Sequence, residues 1–115
     1  MDRNLKKYLW DILDQIEFID EVTGPPLTFQ EFEKSQIVLR SVERSIEIIG
    51  EAVKRALQIQ SDLYISDTKK IIGMRNILSH GYDMVSPSTL WVSIKKHFPI
   101  RKAEVHELLK THGLN

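Results

Sequence analysis

Apolar residues in the first part of the chain recur every three or four positions, with charged residues between them. This spacing places them on one face of an α-helix. The series consists of Leu5, Tyr8, Leu9, Ile12, Leu13, Ile16 and Ile19. We expect this helix to end near Glu21, because the helix-breaking sequence Gly24-Pro25-Pro26 follows.

A second helix is predicted to begin at Thr28 and to run to about Gln60. Thr28 and Glu31 have the spacing of a capping box. The apolar stripe that follows consists of Val38, Val42, Ile46, Ile49, Val53 and Leu57. Gly50 is the weak point of this helix, since a glycine inside a helix costs roughly 1 kcal/mol relative to alanine. We interpret Gly50 as a point where another helix comes close.

Three further helices are predicted in the second half of the chain. Ser66 or Asp67 can cap a helix that runs to about His80 and stops at Gly81. The pair Ser86-Pro87 has the pattern of an N-cap followed by proline. It is predicted to open a helix over residues 88–97, and Pro99 is expected to separate this helix from a last one over residues 101–112.

No segment shows the alternating pattern of a β-strand, and no repeat is visible. The pattern therefore predicts an all-α protein, an antiparallel bundle of about five helices joined by short connections. The length of 115 residues is that of a single domain, which we take to span residues 1–115.

Composition excludes several kinds of chemistry. The chain has no cysteine, which rules out disulfides, a thiolate nucleophile and zinc held by sulfur. The first residues carry acidic side chains throughout and no continuous apolar stretch. We therefore expect neither a signal peptide nor a membrane span, and we expect a cytoplasmic protein.

The net charge of the whole chain is zero, which argues against a general nucleic-acid coat protein. Residues 1–66 nevertheless hold 8 Lys/Arg and 12 Asp/Glu, whereas residues 67–115 hold 8 and 4. Chance and a function explain this asymmetry about equally well. On the functional interpretation an anionic ligand meets the C-terminal half, which contains Lys69, Lys70, Arg75, Lys95, Lys96, Arg101 and Lys102. The predicted contacts are Lys69, Lys70, Lys95 and Lys96.

Candidate chemistry is concentrated in residues 71–82. On a helix that turns about 100° per residue, one face carries the apolar residues Ile71, Met74, Ile77 and Leu78. The other face carries four polar residues, Arg75, Asn76, Ser79 and His80. Asn76 and His80 are one helical turn apart and can touch, and the long side chain of Arg75 reaches the same patch.

These residue types suit the cleavage of a phosphodiester. The guanidinium of Arg75 matches phosphate oxygens and stays charged as negative charge develops. The imidazole of His80 can take or give a proton near neutral pH. Asn76 can either orient the imidazole or donate to a phosphate oxygen, and Ser79 is a further supporting residue. If the substrate is RNA, its own 2′-OH is the nucleophile, so the chemistry requires no metal.

Such a reaction needs one group to remove a proton and another to give one, yet each chain has one histidine in this patch. A symmetric dimer would bring two copies of Arg75 and His80 to one groove. Gly73, at the edge of the polar face, would permit close approach there. On residue types alone, simple surface solvation and helix capping by His80 remain the stronger explanation.

The motif itself resembles a known family. Arg75, four residues, His80, one residue and Tyr82 form the R-x4-H-x-Y motif of HepT-type toxins of the HEPN superfamily. The sequence from Glu43 to Ala52 is similar to that family's long second helix, and Trp91 and Pro99 follow the motif as they do in the family. The resemblance extends over nearly the whole chain.

The resemblance implies a homodimeric, metal-independent endoribonuclease that is the toxin of a type VII-like toxin–antitoxin pair. Its implied substrate is RNA, and tRNA is one candidate. Arg75 and His80 would be the catalytic pair, in a cleft between two protomers. The implied partner is an MntA-like minimal nucleotidyltransferase antitoxin, which uses ATP to attach AMP to Tyr82. The chain itself would need no cofactor. Without the resemblance, Tyr82 is better explained as a core residue.

Two other functions fit the sequence. The protein can be a non-enzymatic nucleotide- or substrate-binding partner of a nucleotidyltransferase, in which case RNA stays intact and nucleotide binding depends on Arg75. It can also be a purely structural helical subunit, for which replacement of Arg75 would change stability alone.

Overall fold

The computed structural model describes residues 2–80 and 85–111, and the part of the chain it describes is helical, with no strand. Six α-helices follow one another within these described ranges. They are α1 (Arg3–Thr23), α2 (Phe29–Lys34), α3 (Gln36–Ile59), α4 (Thr68–His80), α5 (Pro87–Val92) and α6 (Phe98–Thr111). A π-helical turn, Ser93–His97, joins α5 to α6. The prediction of an all-α protein is confirmed.

Helix α1 forms as its apolar periodicity predicts. Asp2 caps it by accepting from the backbone N–H groups of Asn4 and Leu5. The apolar stripe from Leu5 to Ile19 is buried, with Tyr8 half-buried at its edge. The helix ends two residues beyond the predicted end, at Thr23, whose hydroxyl donates to the Ile19 carbonyl at 2.6 Å.

The prediction of one helix from Thr28 to Gln60 is wrong, because the helix is interrupted at Ser35. The backbone N–H of Ser35 donates to carbonyls of α2, and its hydroxyl accepts from the N–H of Val38 at 3.2 Å. Ser35 thus ends α2 and begins α3. The predicted capping box of Thr28 and Glu31 is confirmed at the start of α2.

The interruption lets α2 turn its single buried side chain, Phe32, into the core. The ring of Phe32 lies 5.0 Å from the ring of Trp91, measured between centroids, and Phe29 lies 5.9 Å from the same ring. Trp91 therefore packs α5 against α2, as a core residue does.

Helices α1, α3 and α4 form the body of the bundle, and α4 runs antiparallel to α3. Arg75 of α4 meets Glu51 of α3, whereas Ser79, one turn later, meets Glu47, one turn earlier. The stripe of α3 is buried as predicted, with Val42, Ile46, Ile49 and Val53 fully enclosed. Val38 and Leu57, at the two ends of the stripe, are half-buried.

The expected break at Pro99 is also wrong, because the chain is helical without interruption from Pro87 to Thr111. Ser86 caps this helical run and Pro87 opens it, as predicted. In the π-helical turn the N–H of Phe98 donates to the carbonyl of Ser93, five residues back. A proline ring collides with the carbonyl four residues before it in a regular helix. We attribute the tolerance of Pro99 to the wider turn that precedes it.

Helix α6 holds the turn that precedes α4. Arg101 is 2% exposed, and its Nε donates to the carbonyl of Ser66 at 3.1 Å. The carboxylate of Glu104 accepts from the backbone N–H of Ser66 at 2.9 Å and also from its hydroxyl. Asp67, next to α4, has a φ of 51°, in the left-handed region. The start of α4 is therefore fixed from outside its own helix.

None of the helices in the described ranges combines the length and the apolar character that a membrane crossing requires.

Candidate active site on helix α4

Helix α4 carries the predicted site and packs one side against α3. Ile71 and Met74 are buried and Leu78 is half-buried, as the apolar stripe predicts. Ile77 was expected in the same stripe, but its side chain is 40% exposed. It lies at the edge of the stripe, on the side of α4 that turns away from α3. The exposed side of α4 is therefore more apolar than predicted.

The closest approach between α3 and α4 is at Gly50. A Cβ atom placed on Gly50 would lie 2.3 Å from the Cβ of Arg75 and 2.9 Å from its Cγ. Such distances are far inside van der Waals contact, so only glycine fits at this position. The interpretation of Gly50 as a point of close helix–helix contact is confirmed, and the residue it meets is the arginine of the motif.

Two neighbours hold the guanidinium of Arg75. Its Nη1 donates to Oδ1 of Asn76 at 2.9 Å, and its Nη2 lies 2.6 Å from Oε2 of Glu51. The contact with Glu51 is an ion pair by distance but lacks the alignment of a hydrogen bond. The side chain of Arg75 is 26% exposed, so it is not sealed inside the bundle.

Glu51 is held from its other side as well, by Arg55, whose Nε donates to Oε1 at 2.9 Å. The hydrogen bond from Arg55 lowers the pKa of Glu51 below its ordinary value, and the charge of Arg75 adds to this effect against the opposing effect of burial. Glu51 is thus an ionised carboxylate between two guanidinium groups at neutral pH.

His80 is exposed at the end of α4, and its ring is oriented by the backbone. The Nδ1 atom lies 2.6 Å from the carbonyl oxygen of Asn76. A carbonyl oxygen can only accept, so Nδ1 carries the proton in this contact. In the neutral ring Nε2 is then the free base. Asn76 therefore connects the two motif residues. Its side chain accepts from Arg75, and its backbone carbonyl accepts from His80.

Ser79 points toward α3 rather than toward His80. Its hydroxyl donates to Oε2 of Glu47 at 3.3 Å. It lines a groove of about 320 Å³ between α1, α3 and α4, together with Arg75. The remaining lining includes Lys7, Tyr8, Asp11, Arg44, Glu47 and Glu51. The groove is therefore lined by both cations and carboxylates.

The four predicted lysine contacts lie in two places. Lys69 and Lys70 are exposed in the first turn of α4, on the helix that carries the motif. Lys95 belongs to the π-helical turn, where its ammonium donates to the carbonyl of Thr23 at 3.0 Å and lies 4.5 Å from the ring centroid of Trp91. Lys96, beside it, is exposed. Their role in RNA binding stays a prediction.

Tyr82 lies outside the described residues. Within residues 2–80 and 85–111, no group of three or more His, Asp or Glu side chains is arranged to hold a metal ion.

Sequence reasoning did not find Glu51. The available signal was Gly50, the preceding residue, since a glycine that marks a close helix contact places its neighbours beside the other helix. Which residue of that helix Glu51 would meet could not be inferred before α3 and α4 were paired.

A helical bundle with an arginine and a histidine five residues apart on one helix is the arrangement of the HEPN class. In agreement with this, the family described as Ribonuclease HepT-like matches residues 12–108. The match covers most of the chain, so the protein belongs to the Ribonuclease HepT-like family.

Individual relatives agree with the family match. A candidate RNase of Caldanaerobacter subterraneus subsp. tengcongensis is 36% identical over 107 residues, which cover 91% of this chain and 94% of that protein. A probable ribonuclease HepT of Thermococcus cleftensis is 33% identical over 111 residues, covering 96% of this chain and 100% of that protein. No solved structure matches the chain significantly.

Proposed function

We propose that this protein is a toxin-type endoribonuclease that cuts RNA without a metal ion. In the proposed reaction the 2′-OH attacks the adjacent phosphate, and the bond to the 5′ oxygen of the next nucleotide breaks. The products are a cyclic phosphate and a free 5′-OH. His80 exchanges protons through Nε2, and Arg75 stabilises the charge that develops on the phosphate oxygens. The family and the names of the relatives support this proposal.

Two proton transfers are required in this reaction, one from the 2′-OH and one to the leaving oxygen. A single His80 cannot be free base and acid at once. We therefore propose that the working site is built by two copies of the chain, paired through α4. One His80 then removes the proton while its symmetry mate supplies the other.

The observation that carries this proposal is the open face of α4, which consists of Gly73, Asn76, Ile77 and His80. Within residues 2–80 and 85–111, and apart from the adjoining backbone of α4 itself, no heavy atom lies within 4 Å of a Cβ placed on Gly73. The side chains of Asn76, Ile77 and His80 are exposed on the same side. An exposed isoleucine beside a glycine and a polar motif suits a surface that another copy covers.

Gly73→Glu tests the composite site. The Cβ of a glutamate at this position meets no side chain of the described residues, and the glutamate replaces a glycine that is unfavourable in a helix. The fold is therefore expected to be at least as stable. Two such charges facing each other across a two-fold axis repel, and we expect a monomer that has lost RNA cleavage. Sedimentation and cleavage of total RNA or tRNA in chelator measure both effects.

Gln58→Glu is the matched control, since it adds the same charge at an exposed position of α3. It should remain a dimer and retain its activity. A Gly73→Glu protein that still cleaves RNA as a monomer would refute the composite site.

We further propose that the partner is an MntA-like nucleotidyltransferase antitoxin that uses ATP to silence the toxin by attaching AMP to Tyr82. Adenylylation places a bulky anion two residues from His80, where it blocks the site and competes for Arg75. This proposal rests on the motif and on family membership.

Co-expression with an MntA-like nucleotidyltransferase tests the pairing. Mass spectrometry should then detect one or more additions of AMP mass on Tyr82, and none on Tyr82→Phe. RNA cleavage should fall with the extent of modification. An unmodified Tyr82 in cells that tolerate the active protein would contradict the proposed silencing.

A further inference from the structure

The carboxylate of Glu51 lies between two guanidinium groups from different helices. One oxygen accepts from Arg55 on its own helix, and the other lies 2.6 Å from Arg75 on α4. We call these three residues the Arg55–Glu51–Arg75 array. Through its ion pair with Glu51, the array connects Arg75 to a helix other than α4. The other partner of the Arg75 guanidinium, Asn76, belongs to the motif itself.

The array restrains the direction of Arg75. Nη1 donates a hydrogen bond to Asn76, and Nη2 forms an ion pair with Glu51, so both ends of the guanidinium are restrained. The start of the side chain is fixed as well, since its Cβ and Cγ lie against the backbone of Gly50. Without such contacts, a long arginine side chain keeps much of its rotamer freedom. Ordering that side chain when RNA binds would then cost free energy.

We infer that Glu51 is a positioning residue of the ribonuclease site, which aims the guanidinium of Arg75 at the phosphate that is cleaved. The inference rests on the proposed function, in which Arg75 stabilises the transition state. Glu51 does not touch the substrate in this scheme. Glu51 acts by holding Arg75 in place before RNA binds. The cost of ordering the Arg75 side chain therefore does not add to the activation barrier.

This role predicts opposite effects on the two kinetic constants. Removal of the negative charge leaves the site more positive, so RNA should bind at least as well. Loss of the restraint lets the guanidinium leave its productive position, and small misplacements of this kind lower rates by up to about 100-fold. Binding and catalysis should therefore separate.

Glu51→Gln is the decisive variant, because it keeps the shape of the side chain and removes its charge. We expect kcat for cleavage of a short RNA to fall about 10- to 100-fold, with KM unchanged or lower. Glu43→Gln is the matched control, a half-buried glutamate two turns earlier on the same helix, and should behave as wild type. Unchanged or increased kcat in Glu51→Gln, or a fall in kcat matched by a rise in KM, would overturn the inference.

A second measurement does not require activity. Rotation of the Arg75 guanidinium about its Nε–Cζ bond can be followed by NMR, and we expect it to be slow in the wild type and clearly faster in Glu51→Gln. If the wild type fails to cleave RNA while this difference is present, the proposed function fails and the restraint stands. If Arg75 rotates equally fast in both proteins, the inference fails even where RNA is cut.

Discussion

Replacement of His80 by alanine is expected to lower the rate of RNA cleavage about 10²- to 10⁴-fold, the range that general acid–base groups contribute. In the proposed dimer the variant removes both the base and the acid, so the upper part of the range applies. The free energy of unfolding should change by no more than about 0.5 kcal/mol, because the side chain is exposed. The loss is therefore one of chemistry, not of fold.

The measurement is cleavage of total RNA or tRNA in the presence of a chelator, with urea denaturation on the same preparations. His106→Ala is the matched control, since this histidine is also exposed but belongs to α6, a different helix from the one that carries the motif. It should cut RNA at the wild-type rate. Cleavage that persists in His80→Ala would refute the role assigned to the imidazole.

The second large effect is expected for Gly50→Ala, which adds a single methyl group. Alanine favours a helix by about 1 kcal/mol over glycine, so a solvent-exposed position would gain stability. Here the new Cβ would lie 2.3 Å from the Cβ of Arg75, and both atoms are fixed to helix backbones. Overpacking of this kind costs about 1–3 kcal/mol. We expect a net loss of stability and a displaced α4.

Activity should fall with it, although Arg75 and His80 are unchanged, because the displacement separates Arg75 from Glu51. Urea denaturation and RNA cleavage measure the two effects. Gly73→Ala is the matched control for stability, since its Cβ meets no neighbouring helix within 4 Å among the residues that the structure describes. Wild-type stability and activity in Gly50→Ala would contradict the close approach of the two helices.

The positions of the helices could be predicted from the sequence because burial and capping act locally. Leu5 to Ile19 and Val42 to Val53 are spaced for one buried face, and Thr28 and Ser86 mark helix starts by hydrogen bonds within one turn. The errors have the same local origin. Ser35 offers the backbone a competing hydrogen bond, which an apolar stripe does not reveal.

Contacts between helices were harder to predict. The π-helical turn accommodates Pro99 within a continuous helix. From the sequence alone, a proline in such a helix cannot be distinguished from one that ends a helix. Likewise, Arg75 and His80 were placed correctly on α4, yet their surroundings depend on which residue of α3 lies opposite. Gly50 indicated that a contact exists, and only the paired helices identify Glu51 as the partner of Arg75.

The anchoring of α4 by Arg101 and Glu104 has a consequence for synthesis of the protein. Helices α1 and α3 can pair once the first half of the chain has been made, whereas the turn before α4 is held by residues 35 and 38 positions further on. A nascent chain that ends before Glu104 lacks these anchors. The reactive helix therefore reaches its final position only after Arg101 and Glu104 have been made.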